Sequence, residues 1–144
     1  MQGNGYKGEY NHAVDVKGRL IVPAKFRELL GERFVVTKGM DHCLWLFDEI
    51  GWNMLEGKIQ ALPVTNANAR KLSRFFLASA AECEIDKQGR ILIPQPLRNF
   101  AGLDKDATFV GVGGHIEIWD QERWEAASDI DLDSMGEELE ELGI

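Results

Sequence analysis

Six basic side chains are spaced in a way that suits recognition of phosphates and base edges. Lys17, Arg19, Lys25 and Arg27 fall within eleven residues, and Arg90 and Arg98 repeat two of those positions 71 residues later. A guanidinium is a planar fork of donors suited to bidentate contact with phosphate and with guanine O6 and N7. Arg19 and Arg90 each follow directly on the Gly of an Asp-x-x-Gly sequence, Asp15 to Gly18 and Asp86 to Gly89. That places each Arg at the start of a strand, near a hairpin tip. A two-stranded ribbon is narrow enough for the major groove of DNA. The same spacing also suits an ion pair across each turn, Asp15 with Arg19 and Asp86 with Arg90, worth about 0–1 kcal/mol at a surface.

Other chemistries lack their residue sets. His12, His42 and His115 are scattered, and His42 beside Cys43 has no companion ligands for zinc. No Ser sits in a nucleophile-elbow context. Gly111-Val112-Gly113-Gly114 belongs to a hairpin, not to a strand-to-helix phosphate loop. No metal, cofactor, small-molecule substrate or enzymatic activity is therefore expected. Cys43 and Cys83 read as two idle thiols of a reducing compartment.

The elements that position the basic residues come from a duplication. Residues 15–27 read DVKGRLIVPAKFR and residues 86–98 read DKQGRILIPQPLR. In each copy an extended run, Glu9 to Val14 or Glu82 to Ile85, enters the turn. Asp suits the first turn position, where its side chain caps the backbone, and Gly the fourth, where positive φ is cheap. Asp15, Gly18, Asp86 and Gly89 are thus turn-shaping residues. The runs Leu20-Ile21-Val22 and Ile91-Leu92-Ile93 read as buried strands. Pro23 and Pro94 then open short helices, Ala24 to Leu30 and Gln95 to Ala101, which Gly31 and Gly102 terminate. A second hairpin follows in each copy, Phe34–Thr37 with Leu44–Phe47, and Thr108–Val112 with Ile116–Trp119. Each leads to an acidic helix start bearing a Trp, Asp48 with Trp52 and Asp120 with Trp124. A helix over Thr65 to Ala81, capped by Thr65 or Asn66, joins the copies, and its Leu72, Phe75, Phe76 and Leu77 read as core or subunit contact.

One such unit of about 50 residues is too small to bury a good core alone, so the two are expected to interlock. The expected organisation is a first repeat with its flanking helix over 7–60, a linking helix over 61–80, a second repeat over 81–130 and an acidic tail or helix over 131–144. The net charge of −8 is a property of the C-terminal end. Residues 117–144 carry eleven acidic side chains and one basic one, and the remainder fifteen basic and thirteen acidic, a net of +2. The basic cluster therefore retains its attraction for phosphate. No apolar run reaches the roughly 20 residues of a membrane span, and the start, MQGNGYKGEYNH, has no apolar core of a secretory signal.

The doubled D-x-x-G-R, each followed by an aliphatic run, Pro and Arg, resembles the AbrB-like swapped-hairpin DNA-binding module. Two modules at this spacing, with Phe75-Phe76-Leu77 between them and the Gly114–Trp119 stretch after, resemble the MraZ family of bacterial transcriptional regulators over about Lys7 to Trp124. The resemblance implies an α+β fold in which two tandem β-hairpin–helix–β-hairpin repeats interlock into a small β-barrel with flanking helices. It implies a cytoplasmic, nucleoid-associated protein that binds double-stranded DNA. The target would be short guanine-containing direct repeats in the promoter of its own gene cluster for cell division and cell-wall synthesis. It further implies a homo-oligomeric ring, such as an octamer. The family motif falls on Asp15, Lys17, Gly18 and Arg19 and on Asp86, Gly89 and Arg90. Gln88 stands where Lys17 stands, so the first copy is expected to read DNA more directly. The expected contact set is Lys17, Arg19, Lys25, Arg27 and Arg90. The rival readings are an antitoxin-like or scaffolding module that binds protein on the same fold, and a barrel enzyme, for which no nucleophile and base stand at usable spacing.

Overall fold

The protein is described here by a computed structural model covering residues 5–144. Residues 1–4, part of the start that bears on a signal segment, lie outside the described residues. The first repeat supplies β1 (Tyr6–Ala13), β2 (Arg19–Ile21), α1 (Ala24–Leu30), β3 (Phe34–Lys38), β4 (Leu44–Asp48) and α2 (Glu49–Gln60). Next come α3 (Ala67–Leu77) and the second repeat: β5 (Ala81–Cys83), β6 (Arg90–Leu92), α4 (Gln95–Ala101), β7 (Asp106–Gly113), β8 (Ile116–Asp120) and α5 (Gln121–Ala127). The acidic C-terminal segment forms α6 (Leu132–Glu141). No helix among the described residues is long and apolar enough to cross a membrane.

The strands form an antiparallel six-stranded sheet, ordered β1-β7-β8-β4-β3-β5, and a separate two-stranded ribbon of β2 and β6. The sheet is open, with β1 and β5 at its ends, so its hydrogen bonds do not close a barrel. The pairing is reciprocal between repeats. β1 of the first repeat lies along β7 of the second, and β5 of the second along β3 of the first. β2 pairs with its own counterpart β6, Leu20 opposite Ile91. At the centre of the sheet β4 pairs with its counterpart β8, Trp45 opposite Glu117. A local two-fold axis therefore passes near both matched pairs, as duplicated halves paired antiparallel require.

This pairing is driven by the core it encloses. Leu20, Val22, Ile91 and Ile93 from the ribbon region, Phe26 and Leu97 from α1 and α4, and Phe34, Leu44, Phe109 and Ile118 from the sheet are all at most 2% exposed. They belong to one cluster built from both repeats. Burial of each such side chain stabilises by about 1.5–3 kcal/mol, and neither repeat has the other half of the cluster.

Two local expectations are corrected. The runs after the turns are not buried throughout: Ile21 and Leu92 are 42% and 58% exposed, because a two-stranded ribbon turns only one face to the core. The linking helix stops at Leu77, not Ala81. There the chain gives up helix for sheet: Ser79 Oγ donates to Phe75 O at 2.7 Å, Thr37 Oγ1 donates to Phe76 O at 2.7 Å, and Ala81 enters the ladder beside Val36. Asn66 is the N-cap, its side chain accepting from the Ala69 N–H. Both cysteines are buried, which pushes each thiol up to about 12.

Asp48 ties β1 to α2. Its Oδ2 accepts from the Tyr6 hydroxyl at 2.7 Å, and its Oδ1 caps α2 by accepting from the Gly51 N–H at 2.7 Å. Asp120, at the matching place in the second repeat, caps α5 from an exposed position by accepting from the Arg123 N–H at 3.2 Å. Asp48→Ala is expected to cost about 2–3 kcal/mol, the cap plus an orphaned buried hydroxyl. Asp120→Ala is expected to cost about 1 kcal/mol, the cap alone. Urea unfolding of the two variants measures the difference, and equal losses would mean the Tyr6–Asp48 bond contributes nothing.

Candidate nucleic-acid interface

The two Asp-x-x-Gly-Arg turns have the same internal wiring. In the first, Gly18 N–H donates to Asp15 O at 2.9 Å, and Asp15 N–H to Arg19 O at 3.0 Å. Asp15 Oδ1 accepts from the N–H groups of Lys17 and Arg19, both at 2.9 Å, and Oδ2 accepts from Arg19 Nε at 2.6 Å. In the second, Gly89 N–H donates to Asp86 O and Asp86 N–H to Arg90 O. Asp86 Oδ1 accepts from the N–H groups of Gln88 and Arg90, and Oδ2 from Arg90 Nε at 2.8 Å. Gly18 and Gly89 take φ of +86° and +80°, the left-handed region that Gly occupies without a Cβ penalty. One carboxylate thus caps a turn and holds a guanidinium by a single nitrogen. The ion pairs are present, and at half-exposed positions they stabilise little. Their consequence is orientation: Arg19 is engaged through Nε, and its Nη groups meet no partner among the described residues.

Ribbon pairing brings the two turns into one face. Arg19 and Arg90 both project outward from it, on the side opposite the buried Leu20 and Ile91. Arg90 Nη1 lies 3.9 Å from Asp15 Oδ2, so Asp15 faces the arginines of both repeats. Lys17 sits exposed in the first turn and Lys25 exposed on α1.

Arg27 and its counterpart Arg98 are placed differently. Both are half-buried, and each packs on the turn of the other repeat. A Cβ added to Gly89 would stand 1.7 Å from Arg27 Nη1, and one added to Gly18 would stand 2.4 Å from Arg98 Cζ. Arg98 Nε also donates to Ile93 O at 2.9 Å. No local signal marks this crossing, since the residues that meet are about 60–80 positions apart. Arg98, absent from the expected contact set, is as close to the interface as Arg27. The aliphatic residues Ile21 and Leu92, which the sequence pattern assigns to the core, lie on the face itself. Among the described residues no group of three or more His, Cys, Asp or Glu is placed to hold a metal ion.

The turn geometry sets the acid response. The Arg19 backbone N–H, then its side chain and the Lys17 N–H, hold Asp15 down from its ordinary 3.8 to about 2, against an opposing effect of desolvation. Asp86 is lowered by the matching groups, the Arg90 N–H first. A carboxyl depressed on folding stabilises fully above its unfolded value, and that contribution is lost as pH falls through the folded value. Asp15 is therefore expected to remain ionised at pH 3, and the turn to loosen between about pH 4 and 2. Carboxyl-carbon NMR titration tests this, and a midpoint at the ordinary value would mean the turn is open in solution.

A family model described as "MraZ protein, putative antitoxin-like" matches residues 6–75 and again 76–140. The "Transcriptional regulator MraZ" of Thermoanaerobacter sp. (strain X514) is 51% identical over 140 residues, 95% of this chain and 98% of that one. The protein of the same name from Carboxydothermus hydrogenoformans is 57% identical over 119 residues, 83% of each chain. That of Acetivibrio thermocellus is 50% identical over 142 residues, 96% of this chain and 99% of the other.

Proposed function

The chain belongs to the MraZ family, and from that premise we propose that it is a transcriptional regulator that binds double-stranded DNA through the β2–β6 face. Its relatives carry the name of a regulator, a class that binds rather than turns over a substrate, and the chain is not an enzyme. The observation that carries the DNA reading is the convergence of two identically wired Asp-x-x-Gly-Arg turns on one ribbon, with Arg19 and Arg90 held outward by carboxylates.

In this reading Arg19 contacts guanine or phosphate from the first turn and Arg90 does so from the second. Lys17 and Lys25 extend the basic footprint to neighbouring phosphates. Arg27 adds charge while bracing the second turn, and Asp15, Gly18, Asp86 and Gly89 shape the turns. The target is a set of short guanine-containing direct repeats upstream of its own gene, in a cluster for cell division and cell-wall synthesis. A ring of subunits, such as an octamer, would engage several repeats at once, so avidity would set the affinity. The reciprocal strand pairing supports interlocked, swapped hairpins in a barrel-like core. The working divisions are 7–60, 61–80, 81–130 and 131–144, and the site of action is the cytoplasmic nucleoid.

The test is a gel shift of the DNA immediately upstream of its own gene, over a range of salt. Retarded complexes whose affinity falls steeply with salt are expected, as phosphate contacts require. Absence of any shift, with a stoichiometric protein captured instead, would favour the antitoxin-like or scaffolding reading. The family description and the acidic C-terminal segment are what speak for that alternative.

A further inference from the structure

We propose that Ile21 and Leu92 read thymine methyl groups next to the bases met by Arg19 and Arg90, an inference that rests on the DNA-binding function proposed above. The outward face of the ribbon is a two-by-two array, Arg19 opposite Leu92 and Ile21 opposite Arg90. The Ile93 N–H donates to Gly18 O at 3.0 Å and the Val22 N–H to Gly89 O at 2.9 Å. Those bonds fall at the pairs flanking the array. Both Arg–aliphatic pairs are therefore of the non-hydrogen-bonded kind, whose side chains stand closest, with Cβ atoms about 4.5–5.5 Å apart.

Within the ribbon, the aliphatic groups that reach solvent are those on this face. Ile21 and Leu92 are 42% and 58% exposed, whereas their strand neighbours Leu20 and Ile91 are at most 1% exposed on the core side. Both branched side chains therefore keep part of their apolar area in water on a face that carries two arginines. In the major groove the thymine C5-methyl is the apolar feature that distinguishes its base pair, as O6 and N7 distinguish guanine. Residues i and i+2 of a strand stand about 6.8 Å apart, two base-pair steps of about 3.4 Å. The cross-strand separation lies between one and two steps. An Arg seated on guanine thus brings its aliphatic neighbour to a thymine one or two steps away. With Arg19 and Arg90 each paired to a carboxylate, the exposed Lys17 and Lys87 of the two turns leave this mixed patch net positive, which selects DNA as its occupant over an apolar protein surface.

The test compares full-length protein on its promoter duplex with the same duplex carrying deoxyuridine for every thymidine in the guanine-containing repeats. Wild type is expected to bind the deoxyuridine duplex about fourfold more weakly for each thymine methyl it would otherwise bury, the weight of one such group. The Ile21→Ala/Leu92→Ala variant is expected to bind both duplexes alike while keeping its salt dependence. Equal wild-type affinity for the two duplexes overturns the inference without any variant. Arg19→Ala in the same assay separates the claims, since loss of binding there leaves the proposed function standing. A double variant that still prefers thymine overturns the inference. So does one whose only change is a smaller assembly in solution, which would make the patch a contact between copies. Failure of wild type to bind the promoter removes the function and this inference together.

Discussion

Arg19→Ala is expected to weaken promoter binding about 30-fold or more while leaving the melting temperature within a few degrees of wild type. A bidentate Arg–guanine contact contributes about 1–3 kcal/mol of discrimination. If each engaged subunit loses one, two subunits on adjacent repeats lose roughly 2–6 kcal/mol together, and avidity amplifies the loss with every further repeat. Stability changes little because the Asp15–Arg19 pair is half-exposed, and because Asp15 still accepts from the Lys17 and residue-19 N–H groups after the side chain is gone. Arg19→Lys should recover little, since a point ammonium cannot reproduce the fork. Titration of labelled promoter DNA, paired with thermal melts, checks both halves. Full binding by Arg19→Ala would remove Arg19 from the interface.

The double substitution Gly18→Ala/Gly89→Ala is expected to cost about 4–6 kcal/mol, enough to unfold much of the population of an ordinary domain. Each site combines two penalties. An Ala in the left-handed region costs roughly 1–2 kcal/mol, and its Cβ would collide with the guanidinium of Arg98 or Arg27, adding about 1 kcal/mol as that side chain is displaced. A control isolates the cause: Gly57 lies in α2, where an added Cβ would meet nothing within 4 Å, so Gly57→Ala should stabilise by about 0.5–1 kcal/mol. Denaturant titration of the three proteins decides the matter. A near-neutral double variant would mean the turns adopt another conformation in solution.

Local chemistry is legible in the sequence wherever a residue acts through its own backbone. Pro23 and Gly31 bracket α1, and Pro94 and Gly102 bracket α4, where the sequence places them. In each turn the Asp carboxylate accepts backbone N–H groups and the Gly takes a positive φ. Pairing is not legible, because β1 and β5, or β3 and β7, carry similar patterns and nothing local says that β1 belongs to β7. The contacts of Arg27 and Arg98 depend on that pairing and stay hidden with it. Ile21 misleads for a related reason: an aliphatic run looks the same whether a strand is covered on one face or two. The end of α3 shows tertiary structure overriding propensity, since Ala78 and Ala80 favour helix and the ladder to β3 takes the chain out of it.

The reciprocal pairing also orders events during synthesis. Arg19 leaves the ribosome early and its own turn can close through the Val14–Leu20 bridge, but the ribbon is completed only when Ile91 and Leu92 follow, and β1 waits for a strand that ends at Gly113. At roughly 5–20 residues per second, several seconds separate the making of the first arginine from the making of the face that holds it. Unfinished or truncated chains therefore contain the first basic turn without the second turn that completes the face. On the function proposed here, they cannot occupy the promoter in place of the complete protein, so any feedback on its own gene would count finished molecules only.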